Sequence, residues 1–143
     1  MSTVLAFKSS KRSAPSIENG KVTPPRRVTN LMRRSREHLT PAEVERMIAA
    51  AGKAGRHGVR DGTLILVAYR HGLRVSELVE LRWEQVDLPR GTLHVNRKKS
   101  GDAATHPMSG RELRVLRQLK RTYPESPFLF VTERGGPMTE ATV

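Results

Sequence analysis

Cysteine is absent from this 143-residue sequence, and aromatic residues are few: one Trp, two Tyr and three Phe. Without cysteine there is no disulfide framework and no thiolate zinc site, and a reducing cytosol is the natural compartment. Acidic residues are also scarce, at 14 Asp and Glu against 26 Lys and Arg, which leaves a formal net charge of +12. That balance disfavours a cationic partner and favours a polyanion. Long apolar runs are missing too. The opening Met1 to Phe7 is interrupted by Lys8, too short for a signal sequence or a membrane span, so a cytoplasmic protein with no membrane partner is expected. A hydrophobic content of 36% is low but sufficient for one modest domain.

Charge and composition shift near residue 39. Residues 1–38 carry nine Lys or Arg against Glu18 and Glu37, and apolar groups are few. Such a segment buries too little surface to offset its ordering entropy, so 1–38 is expected to be a disordered basic N-terminal segment. Its Arg26, Arg27, Arg33, Arg34 and Arg36 are either a solvated tail or a set of phosphate contacts that add affinity and salt dependence.

Ordered elements are expected from Leu39. Thr40-Pro41-Ala42-Glu43 has the spacing of a capping box with proline in the first turn, followed by an apolar face of Val44, Met47, Ile48 and Ala51. After a loop from Gly52 to Gly58, the periodicity predicts helices over Val59 to His71 and Val75 to Leu81. Asp87 to Gly91 has turn chemistry, Leu93 and Val95 alternate as a strand, and Ala103 to His106 returns beside it, with Lys98 to Asp102 at the hairpin tip. Ser109 is placed to cap a helix over Gly110 to Thr122 with Leu113, Leu116 and Leu119 inward. Phe128 to Val131 is a strand or a buried linker, and Thr139 to Val143 starts one more helix. The expected class is mainly α with a small antiparallel β-hairpin, an α+β fold.

The junction between the second and third helices carries the chemistry. Gly72 falls where a helix ends in the left-handed conformation, and a new helix begins at once after Arg74. An arginine held between two helix ends is either a carbonyl cap or a phosphate clamp, since its planar fork donates two parallel hydrogen bonds. Glu77, three residues on, either orients that guanidinium or is simply an acidic residue favoured in a first helical turn. Trp83, beside Leu81 and Val86, reads as core.

Gly72-Leu73-Arg74-Val75-Ser76-Glu77-Leu78, followed by Leu81-Arg82-Trp83-Glu84-Gln85-Val86-Asp87-Leu88, resembles the first signature block of the tyrosine recombinases, the phage integrase family. The likeness runs on through Gly91 to Val95, the basic turn Arg97 to Gly101, and Thr105-His106-Pro107-Met108, which is most like the fimbrial-switch recombinases. The resemblance implies that Arg74 contacts the scissile phosphate of duplex DNA, and that the hairpin turn supplies the catalytic lysine. Ungapped counting makes that Lys98, with Lys99 one slip away, acting as general acid on the leaving oxygen. Arg97 in the same turn becomes a DNA contact. The family chemistry needs neither metal nor cofactor, assembles as a homo-oligomer on DNA, and places the protein at the nucleoid.

The same family requires a later His-x-x-Arg pair and a tyrosine nucleophile. His57 to Arg60 and His71 to Arg74 fit the pattern by spacing, but both lie at or before the first arginine, in the wrong order. Tyr69 is expected in the core and Tyr123 at a helix end, so neither suits a nucleophile, which needs activating partners. The expectation is therefore that 39–143 is an incomplete integrase-type catalytic domain that binds DNA without cutting it. A non-catalytic DNA-binding regulator or remnant and a generic basic RNA-binding protein are the alternatives.

Overall fold

A computed structural model describes residues 16–18, 20–23, 38–97 and 101–143. The chain divides into two units, Met1–His38 and Leu39–Val143. In the first, strands β1 (Ser16–Glu18) and β2 (Lys21–Thr23) pair antiparallel, with Ile17 opposite Val22. This hairpin is a local correction to the expected disorder of 1–38. Its β-branched residues Ile17, Val22 and Thr23 favour a pleated pair despite the low apolar content around them. Arg26, Arg27, Arg33, Arg34 and Arg36 lie outside the described residues.

The second unit begins with α1 (Pro41–Lys53). Its capping box is closed: the Glu43 carboxylate accepts from the Thr40 amide at 2.8 Å, and the Glu43 amide donates to the Thr40 hydroxyl at 3.4 Å. Val44 is its buried residue, whereas Met47, expected inward, is exposed. Helix α2 (Gly58–His71) buries Leu64, Val67 and His71, and this stripe at spacings of three and four turns Tyr69 away from the core. Tyr69 is 47% exposed, against the expectation of burial.

Helix α3 (Val75–Val79) is shorter than the predicted Val75 to Leu81. Leu81 is needed elsewhere. It is buried, and its carbonyl accepts from the Leu129 amide at 2.8 Å, which draws the chain out of the helix and onto the Phe128 segment. A 3-10 turn at Trp83–Gln85 leads into β3 (Val86–Asp87), a strand too short for alternation to reveal. β3 pairs with β4 (Thr92–Val95), and β4 with β5 (Ala104–Pro107), in one antiparallel sheet of order β3-β4-β5. Leu93 and Val95 face the core and His94 faces out, as the alternation predicts.

Helix α4 (Gly110–Thr122) packs Leu116 and Leu119 against Leu64, Val67, Leu78, Leu93 and Val95, while Leu113 is only half-buried. The run Leu129 to Val131 is a buried linker, with Phe130 fully enclosed. The Thr139 to Val143 segment forms only a 3-10 turn, Glu140–Thr142, behind the buried Met138. Trp83 packs at the core edge with the Lys120 ammonium 5.0 Å from its ring, a contact of the cation–π kind. No described helix is long and apolar enough to cross a membrane. The α+β class read from the sequence is the class found.

Candidate nucleic-acid interface

The site is built at the C-terminal end of α2. Gly72 takes φ 59 and ψ 42, the left-handed C-cap for which glycine carries no side-chain penalty, and the Leu73 amide returns to the Ala68 carbonyl at 3.1 Å. The chain then reverses at Arg74 (φ −75, ψ 157), which stands at the start of α3. The Arg74 amide donates to Glu77 Oε2 at 2.9 Å, so one glutamate fixes the backbone from which the arginine side chain leaves.

The same carboxylate holds two guanidiniums. Arg74 Nη1 lies 3.4 Å from Glu77 Oε1, and Arg97 Nη1 lies 3.1 Å from Oε2. Their exposures separate their roles: the Arg74 side chain is 57% exposed, that of Arg97 23%, and that of Glu77 1%. Arg74 therefore reaches solvent from a buried anionic base, with donors left for an external anion. Glu77 thus caps the first turn of α3 and stands within ion-pair distance of the Arg74 guanidinium.

Arg97 has further partners. Its guanidinium is held inside the protein as well: its Nη1 also donates to the Gly72 carbonyl at 3.0 Å and its Nη2 to the His71 carbonyl at 3.1 Å. These are terminal carbonyls of α2, which have no intrahelical partner and sit at the negative end of the helix dipole. Arg97 thus ties the segment after β4 to the end of α2. Lys98 and Lys99 lie outside the described residues.

Beneath this layer is a second buried cluster that the sequence reading passed over. His71 Nε2 meets Glu112 Oε1 at 2.7 Å, and both side chains are almost fully enclosed. Glu112 Oε2 accepts from the Ser109 amide and hydroxyl, each at 2.7 Å, closing the α4 capping box. Arg70 Nε stands 3.6 Å from the same oxygen, and the His106 ring meets the His71 ring edge-on at 5.3 Å. A continuous polar path thus runs from Ser109 through Glu112, His71, Arg97 and Glu77 to Arg74. The Ser109-x-x-Glu112 spacing was the available sequence signal. That the glutamate would be buried on a histidine was not.

Burial alone would raise the Glu112 carboxyl, but the Ser109 hydroxyl and amide and the His71 ring outweigh it and hold the group below the usual carboxylate range. His106 is pushed below the ordinary histidine value by burial first, then by His71 and Arg97 nearby. Both shifts have one sign for stability. A depressed folded value means that the unfolded chain binds protons first on acidification, so stability present above the unfolded value is lost below it. The melting temperature is expected to be level above neutrality, to fall as pH drops below 6.5 through His106, and to fall again below 4.5 through Glu112. Thermal melts by circular dichroism across this range check it, and a melting temperature rising between pH 7 and 5 would refute it. His106→Gln should remove the upper step alone.

Residues 37–143 match the model of the phage integrase family. The chain belongs to that family. It is similar to the type 1 fimbriae regulatory protein FimB of Escherichia coli K12, with 32% identity over 111 residues, covering 74% of this chain and 55% of FimB. It is also similar to FimE of the same strain, with 44% identity over 73 residues, covering 51% of this chain and 36% of FimE. The chain thus spans about half, or less, of the length of these curated relatives. Among solved structures, the XerA recombinase matches with a TM-score of 0.63 at 23% identity over 75% of this chain and 39% of that one. A lambda integrase dimer bound to a COC' core site matches with a TM-score of 0.58 at 20% identity over 77% of this chain and 33% of that one. At these identities the structures establish a shared fold, and the sequence relatives establish kinship with tyrosine recombinases.

Proposed function

We propose that the chain binds duplex DNA with Arg74 on a backbone phosphate and does not cleave it. The observation that carries this reading is the Arg74 guanidinium, more than half exposed on a base of buried Glu77 and Arg97. In a complete site of this family the same arginine would offset charge developing on a transferred phosphate, an electrostatic term of large catalytic weight. Lys98, or Lys99 by a one-residue slip, is the proton donor the hairpin turn would supply there. The lambda integrase relative is a dimer on its DNA site, and assembly on DNA at the nucleoid is the corresponding proposal for this chain.

Neither tyrosine suits attack at the Arg74 phosphate. Tyr69 lies on the outer face of α2, and the Tyr123 hydroxyl is engaged by His57 Nδ1 at 3.1 Å. His57 precedes the first turn of α2 and Arg74 follows the last, so about 20 Å of helix separates them at 1.5 Å per residue. A single nicked duplex tests both halves of the proposal. In a salt titration, Arg74→Ala should reduce the slope of log affinity against log salt by about 0.9, the value of one phosphate contact. On boiling in detergent, no DNA-linked protein band should survive. An unchanged slope, or a surviving band that Tyr69→Phe or Tyr123→Phe abolishes, would overturn the reading.

A further inference from the structure

Helix α4 turns Glu112, Leu116 and Leu119 inward, and its exposed mid-helix and C-terminal face consists of Arg114, Arg117, Gln118 and Arg121. The three arginines recur at spacings of three and four residues, so they form one stripe on the side opposite the core. Three other surface arginines of this unit are matched by acids: Arg56 by Glu133 at 2.9 Å, Arg90 by Asp87 at 3.8 Å, Arg111 by Glu45 at 2.6 Å. Arg114, Arg117 and Arg121 have no ion pair or hydrogen bond among the described residues. An ordinary solvated helix face interleaves signs at these spacings, because like charges three or four apart repel. Here no ion pair among the described residues offsets the repulsion. Only Arg121, in the last turn, gains from the helix dipole.

We infer that this α4 stripe is a second DNA-contacting surface, which takes the phosphate backbone of a duplex without reading its bases. It rests on the Arg74 proposal only in taking duplex DNA as the ligand. Arg114 to Arg121 spans about 10 Å along the helix. One DNA strand presents a phosphate about every 3.4 Å of duplex axis, so the stripe covers about three phosphate intervals, enough for each arginine to reach a separate phosphate. Guanidinium forks suit that geometry better than ammonium groups do. The face also offers no apolar side chain between the arginines, whereas a protein partner would need an apolar centre to anchor on. Lys120 is not part of the stripe: it turns aside to the Trp83 ring and the Pro124 carbonyl.

The test is a salt titration of the full 143-residue chain on duplex DNA, comparing it with the triple variant Arg114→Gln, Arg117→Gln, Arg121→Gln. Glutamine keeps good helix propensity, and circular dichroism verifies that the fold is retained. The slope of log affinity against log salt is expected to fall by about 2 to 3, at about 0.9 per contact. The control Arg46→Gln, Arg134→Gln removes the same kind of charge from outside α4 and should leave the slope nearly unaltered. An unchanged slope in the triple variant overturns the inference while leaving the Arg74 reading to its own variant, whose loss of about one contact is independent. A slope that falls on a folded RNA hairpin but not on duplex DNA also overturns it. Failure of the unaltered chain to bind DNA at all would overturn both.

Discussion

Replacing Glu112 by alanine is expected to lower the melting temperature of the Leu39–Val143 unit by roughly 10–20 °C, corresponding to about 3–5 kcal/mol. The carboxylate is 1% exposed and serves three donors at once: the Ser109 amide, the Ser109 hydroxyl and the His71 ring. Its removal uncaps α4, leaves the buried His71 ring without its partner, and opens a cavity next to the core. Glu112→Gln keeps an acceptor for Ser109 and a polar group for His71, and should cost much less, about 1–2 kcal/mol. Melts of the two variants beside the unaltered chain check this. A drop of only a degree or two in Glu112→Ala would show that the leucine core alone carries the unit.

Glu77→Leu is the second substitution of large effect, again about 3–5 kcal/mol. Glu77 is the buried anion between Arg74 and Arg97, and it caps α3 through the Arg74 amide. Removing it strands the Arg97 guanidinium, which is only 23% exposed, with carbonyl partners but no counter-charge. The mechanism makes a sharper claim than the magnitude. If an uncompensated charge is the cost, the double variant Glu77→Leu, Arg97→Met should be more stable than Glu77→Leu alone, because no lone charge remains. A double variant no more stable than Glu77→Leu would assign the loss to the missing cap and shape instead.

Local devices in this chain were legible and distant ones were not. The Thr40 and Ser109 caps, the Gly72 helix end and the alternation of Leu93 and Val95 all depend on residues within four positions of one another, and each stands where the sequence puts it. The Arg74 block was legible as a likeness, and its immediate Glu77 partner lies three residues away. The internal partners of Arg97 were not legible because they lie 20 to 26 residues earlier, a separation at which no periodicity operates. His71 and Glu112 are 41 residues apart, and a histidine ending an apolar helix gives no sign that a glutamate will cover it. Tyr69 was misplaced for a different reason. Apolarity over Leu64 to Ala68 was uniform, and only the packed stripe through Leu64, Val67 and His71 chose which side faced in.

The arginine clamp also sets an order of events. Arg74 lies three residues from Glu77, whereas Arg97 lies twenty residues on and reaches the carboxylate only once β4 has been brought beside α2. When β4 arrives, Arg97 takes Oε2 at the shorter distance, 3.1 Å against 3.4 Å, and closes over the last carbonyls of α2. Glu77 is then shared by two cations, the less exposed of which ties the sheet to α2. Loops of this length cost more entropy to close than a three-residue pair does, so the local half of this charge cluster forms at less cost than the half that waits on the sheet.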